Sequence, residues 1–262
     1  MREILSDLVA EQQQLDQFLQ TLRTRQWTTA TPAIGWDIQD IVSHLAYTEA
    51  LAAEVLDQGQ ERLDAENITD LDEWTERGVV KGRGRRHQEI IEWWRFGRAD
   101  VVEALSRMQA TDRVPWLHGD MSARTFATTR LMETWAHGLD VKAAILGRIV
   151  PLDEPPNLEE DEEPDPLADT ARLRHIALLG QRTLPFAFAE AGVEFPEQGI
   201  RIEVMGPLYA AWRFGPEETD QVIKGMAGDW CRVVVQRQEP GDTGLKAVGE
   251  YAEKALELAR VY

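Results

Sequence analysis

A single cysteine, Cys231, stands in 262 residues. That excludes an intramolecular disulfide, fits a reducing compartment, and leaves far too little sulfur for a cysteine-rich structural zinc cluster. Any metal must therefore rest on histidine and carboxylates. Basic residues are also scarce: 28 Lys and Arg face 46 Asp and Glu, for a formal charge of −18. Such a surface repels nucleic-acid phosphates and anionic lipid headgroups, so neither nucleic acid nor a membrane is expected as a partner. No apolar run approaches the roughly 18 residues of a membrane span, and MREILSDLVAEQQQLDQFL scatters charge through an amphipathic pattern. The expected location is the cytoplasm. There is no Gly-Lys-Ser/Thr phosphate loop, and Gly82-Arg-Gly84 lacks the preceding strand and glycine spacing of a dinucleotide loop, so nucleotide chemistry is not supported.

What the chain does contain is helical periodicity. Leu5, Leu8, Val9, Leu15, Phe18, Leu19 and Leu22 predict a first helix to about Arg25. After Pro32 and Gly35, Asp37 is a natural N-cap for a second helix carrying Ile38, Ile41, Val42, Leu45 and Leu51 to about Leu56. Residues 57 to 72 show no clean period; Ile90, Ile91, Trp94, Val101, Val102, Leu105 and Met108 then describe a long third helix. A connection from Asp112 follows, and Ser122 caps a fourth helix through Phe126, Leu131, Trp135, Leu139 and Ile145 to Gly147. Four amphipathic helices make a bundle. Residues 151–166 hold five prolines and eight acidic residues in sixteen positions, the composition of an extended linker. Beyond it, 167–191 is predicted helical, IRIEVMG and LYAAWRFG as strands joined at Gly206-Pro207, Gln221 to Lys224 as a further strand, and 227–236 and 245–262 as helices. The expected organisation is a mainly α protein: a bundle over 1–150, the linker over 151–166, and a small α+β domain over 167–262.

The chemistry concentrates in RLMETWAHGLDV. Glu133 and His137 are four residues apart, which on a helix sets their Cβ atoms roughly 5–6 Å apart on one face. Glu-x-x-x-His alone is common on solvated helix faces. Here Trp135 and Leu139 point to burial, where an unpartnered Glu–His pair is costly. His44, at the edge of the apolar stripe of Ile41, Leu45 and Leu51, is either a hydrogen-bonded core-edge residue or the third nitrogen of a site with two imidazoles and a carboxylate, the ligand count of catalytic zinc with a fourth position open, although nickel or iron suit the same donors. Asp140, three residues after His137, orients that imidazole, serves as an alternate ligand, or is an ordinary surface charge. Arg130, one turn before Glu133, either holds an anionic substrate group or bridges to Glu133. His118 is an acid or base at the bundle mouth or an exposed loop residue. His87 in the basic run 81–87, His175 and Cys231 are assigned no chemistry.

GWDIQDIVSHLA followed by PWLHGDMSARTFATTRLMETWAHGLDV resembles the DinB-like metal-binding domain of the mycothiol-dependent maleylpyruvate isomerase family. The resemblance covers about residues 1–150, with residues from about 168 to 240 similar in order to that family's C-terminal domain, related to sterol-carrier-type α+β folds. It implies zinc ligands at His44, Glu133 and His137, a low-molecular-weight thiol such as mycothiol at the open metal position, and thiolate attack on an activated double bond, as an isomerase or thiol S-transferase. In the isomerase, addition permits rotation about the former cis double bond before elimination, and a C-terminal arginine helps hold the substrate; Arg232 and Arg237 are the candidates here. METWAHG is similar to a subgroup known mainly for metal binding, without an assigned activity, so the isomerase substrate does not transfer with the metal. The expected function is thus zinc binding with thiol-dependent chemistry on a small electrophilic or anionic substrate, against the alternative of a non-catalytic metal or small-ligand binding protein. An exposed apolar edge on the bundle would permit a homodimer.

Overall fold

A computed structural model describes residues 1–117, 119–152 and 165–261. The chain divides into two compact units, Met1–Leu167 and Ala168–Tyr262. Most of the acidic segment predicted as a linker, residues 153–164, and His118 lie outside the described residues.

The first unit contains α1 (Arg2–Thr21), α2 (Ile38–Gln58), α3 (Gln60–Ala65), α4 (Leu71–Gly82), α5 (His87–Ser106), a two-residue antiparallel ladder of β1 (Arg113–Val114) and β2 (Met121–Ser122), and α6 (Ala123–Leu146). α2 packs on α5 and α6, and α1 on α6 and α5, closing a four-helix bundle. Leu8, Leu15, Leu19, Ile38, Ile41, Leu45, Ile90, Trp94 and Val141 are buried in its core. Each such Leu or Ile contributes about 1.5–3 kcal/mol by leaving water. The ends of the two site-bearing helices are written locally. The Asp40 backbone N–H donates to Asp37 Oδ1 at 2.9 Å to start α2, and the Thr125 N–H donates to Ser122 Oγ at 3.1 Å to start α6. Gly147, at φ +70°, takes the left-handed position that ends α6.

Three sequence expectations need correction. α1 stops at Thr21 rather than near Arg25, because Leu22 turns extended and the Gln26 side chain accepts from the Arg23 backbone N–H to close a 3₁₀ turn over Thr24–Gln26. The polar stretch without clean period holds α3 and the start of α4. The buried face of α4 is Trp74, Gly78, Val79 and Gly82, a helical spacing in which two of the four contacts are glycines. They are glycines because α2 passes so close: a Cβ on Gly78 would lie 2.3 Å from the Tyr47 ring, and one on Gly82 would overlap Ser43 Oγ. Third, the ladder β1–β2 replaces part of what reads as a plain connection.

The second unit contains α7 (Leu173–Glu190), β3 (Arg201–Met205), β4 (Ala211–Phe214), β5 (Val222–Met226), α8 (Ala227–Val234), β6 (Lys246–Val248) and α9 (Glu250–Leu258). The sheet order is β4-β3-β5-β6, with β3 antiparallel to β4, parallel to β5, and β5 antiparallel to β6. Ile202, Val204, Trp212 and Phe214 turn inward while Glu203, Arg213 and Lys224 share the outer face. Trp230 is fully buried and its indole N–H donates to the Ala177 carbonyl at 3.1 Å. The helix expected from 245 is corrected to a strand and a shorter helix. Gly249, at φ +95°, ends β6, and Gln221 Oε1 accepts from the Tyr251 and Ala252 N–H groups to start α9. Among the described residues no helix is long and apolar enough to cross a membrane.

Candidate metal centre

α2 contributes His44, and α6 contributes Glu133 and His137 one turn apart. Glu133 Oε2 lies 3.6 Å from His44 Nε2 and 3.6 Å from His137 Nε2, and one ligand atom from each of the three residues falls within 4.8 Å of the others. At 3.6 Å neither contact is a hydrogen bond. Metal bonds of about 2.0–2.2 Å at tetrahedral angles would separate two donors by about 3.3–3.6 Å, so the separations of Glu133 from the two histidines fit ligands of one ion. His44 Nδ1 is buried without a hydrogen-bond partner among the described residues. The side chains of His44, Glu133 and His137 are 9%, 18% and 12% exposed, so the cluster is shielded without being sealed. Trp36, directly before the α2 cap, covers it, with its ring 5.2 Å from that of His44 and 6.3 Å from that of His137.

Asp140, wholly buried, reaches His137 from the other side: Oδ2 lies 3.2 Å from Nδ1. That contact favours Nδ1–H and leaves Nε2 as the free lone pair facing Glu133. Electrostatics separate the two imidazoles. Burial lowers the His44 pKa, and the neighbouring His137 and Arg130 add to the effect. His137 is raised despite its burial, because Asp140 and Glu133 flank it. Burial alone would raise Glu133, but the two histidines and the Arg130 charge hold it well below the usual carboxylate range. A neutral His44 and an ionised Glu133 at neutral pH are the forms that ligate a divalent ion.

Arg130 makes no ion pair with Glu133, the competing reading of its position. It is buried, with its guanidinium carbon 4.9 Å from the Trp116 ring centroid and 5.6 Å from that of Phe126. Its Nε and Nη1 have no hydrogen-bond partner among the described residues. Arg232 and Arg237 belong to the second unit. Arg232 is buried and spends its donors on Asp169, Asp229 and Gln238, and Arg237 donates to the Val235 carbonyl at 2.8 Å. His87 stacks on Trp27, with ring centroids 5.1 Å apart. Cys231 is buried, and that burial raises its thiol pKa well above the ordinary value.

Sequence reasoning missed two neighbours of the cluster. One is Trp36, whose only signal is its place beside an N-cap. The other is Glu49, wholly buried on α2 and pushed up to about 7 by burial against the opposing pull of Arg130. A carboxylate five residues after His44, between the apolar positions Leu45 and Leu51, was the available sign.

Comparison with known proteins shows the family. Residues 8–142 match the model of the mycothiol maleylpyruvate isomerase N-terminal domain. Two uncharacterized proteins of Mycobacterium tuberculosis, from strains CDC 1551 / Oshkosh and H37Rv, are each 33% identical over 260 residues, spanning 98% of this chain and 94% of theirs. Among solved structures, the mycothiol-dependent maleylpyruvate isomerase and a histidine-to-alanine mutant of it superpose with a TM-score of 0.58 at 14% identity, covering 94% of this chain and 92% of theirs. At that identity the likeness is one of fold.

Proposed function

Because the chain belongs to the mycothiol maleylpyruvate isomerase family, we propose that it holds a divalent metal ion, zinc foremost, on His44, Glu133 and His137 and works as a thiol-dependent isomerase or S-transferase on a small electrophilic or anionic molecule. The observation that carries this reading is the convergence of two imidazole nitrogens and one carboxylate oxygen, none hydrogen-bonded to another, within 4.8 Å. Bound there, the ion supplies a Lewis acid that lowers the pKa of a thiol or water at its open position.

The remaining roles belong to the protein's own side chains. Asp140 fixes the tautomer and orientation of His137 through the 3.2 Å contact. Trp36 limits water at the two imidazoles. Arg130, with two buried and unspent N–H donors, binds an anionic group of the substrate and counters its charge. Arg232 and Arg237 are not carried forward as substrate contacts, because their guanidinium groups already donate within the second unit. A cytoplasmic location, where a small thiol stays reduced, suits this chemistry.

The test is turnover of cis-unsaturated acids with mycothiol, by zinc-loaded protein beside Glu133→Gln and His137→Ala. The reading expects turnover that needs both thiol and metal and is lost in both variants. Turnover retained by metal-free protein would refute the metal's role. Stoichiometric metal without any thiol-dependent turnover would favour the non-catalytic binding protein.

A further inference from the structure

The first unit buries an acid and a base that do not meet. Glu49 on α2 is 0% exposed, and neither carboxylate oxygen has a hydrogen-bond partner among the described residues. Arg130 on α6 is 3% exposed, and its Nε and Nη1 are equally unpartnered. No ion pair joins the two, yet Glu49 stands on the helix that carries His44 and Arg130 stands one turn before Glu133, so the pair lies on the buried faces of the two helices that carry the candidate metal ligands.

Packing does not explain these groups. The stem of Glu49 meets α5 where Gly97 lets the backbones approach, and a Cβ on Gly97 would lie 3.1 Å from the Glu49 Cβ. A leucine or glutamine stem could make that contact without burying a charge. For Arg130, Trp116 and Phe126 cover the face of the guanidinium, but rings cannot accept from its in-plane N–H edge. Folded proteins seldom leave buried polar atoms unpaired, and those that persist mark a site that something else completes.

We propose that Glu49 and Arg130 form the inner recognition end of the site: Arg130 donates from Nε and Nη1 to a carboxylate or carbonyl of the bound molecule, and Glu49 accepts from a hydroxyl or amide N–H beside it. The ligand class is a small acid that also carries a hydrogen-bond donor. A simple dianion is disfavoured, because its second carboxylate would face Glu49 and Glu133. The inference rests on the proposed metal site only for where the far end of the molecule lies, while the pair stands on its own buried atoms.

Succinamate and succinate test it, since they differ only by an amide in place of one carboxylate. Both are titrated calorimetrically into the full chain, zinc-loaded and chelator-treated, alongside Glu49→Gln and Arg130→Gln, with zinc content measured for each. The unsubstituted protein is expected to bind succinamate about tenfold more tightly than succinate, the scale on which a buried acceptor rejects a ligand that lacks the donor. Glu49→Gln, close to the same shape, should erase or reverse that preference without loss of zinc, and Arg130→Gln should weaken both ligands. Equal affinity for the two, a preference that survives Glu49→Gln, or no saturable binding of either would overturn the proposal. Failure of the metal reading shows separately: no zinc uptake, with the succinamate preference intact, would remove the metal and leave the subsite.

Discussion

Asp140 holds His137 from below, with Oδ2 3.2 Å from Nδ1 and the carboxylate wholly buried. Buried carboxylates behind metal-binding imidazoles set both tautomer and basicity. Asp140→Ala is therefore expected to weaken zinc binding by about 10–100-fold, read by competition with a chromophoric chelator. Asp140→Asn should cost less, since its amide oxygen still accepts from Nδ1–H. Unchanged affinity in Asp140→Ala would assign Asp140 to packing alone.

Glu49 makes stability depend on pH in a direction opposite to an ion-paired acid. Burial raises its carboxyl from 4.5 to about 7. Between those values the folded protein keeps a proton that the unfolded chain has released, so stability falls as pH rises through that window and the penalty is complete above it. Glu49→Gln removes the ionisation, and is expected to raise Tm at pH 8 through a gain on the order of 3 kcal/mol that fades towards pH 5. Thermal melts from pH 5 to 8 measure this. A gain independent of pH, or a loss at pH 8, would contradict it.

Gly97 sets the spacing of α2 and α5. A Cβ there would lie 3.0 Å from the Ala50 backbone nitrogen and 3.1 Å from the Glu49 carbonyl carbon, atoms that a rotamer change cannot move. Gly97→Ala should destabilise the first unit by about 1–3 kcal/mol, despite the better helix propensity of alanine. Denaturant titration gives the figure, and a stabilised variant would show that the helices can separate freely.

Where the sequence was legible, local chemistry and tertiary packing agreed. Asp37 and Ser122 cap the helices that hold His44 and Glu133, and the four-residue step from Glu133 to His137 sets both on the face towards His44. α4 was not legible, because Gly78 and Gly82 occupy half its buried face and carry no hydropathy signal. β6 was hidden in a helix-like stretch because Gly249 and the Gln221 side chain decide where α9 begins. Trp36 and Glu49 escaped for a related reason: their importance comes from what α6 places against them, which spacing along α2 does not encode.

The central claim is that His44, Glu133 and His137 hold one metal ion. The direct measurement is elemental analysis of chelator-washed protein after zinc readdition, beside His44→Ala, Glu133→Gln and His137→Ala, with melting curves to confirm that each variant folds. Three converging donors in one site predict about one zinc per chain in the unsubstituted protein and its loss in folded variants. No saturable uptake by the unsubstituted protein, or full occupancy in the folded variants, would contradict the account.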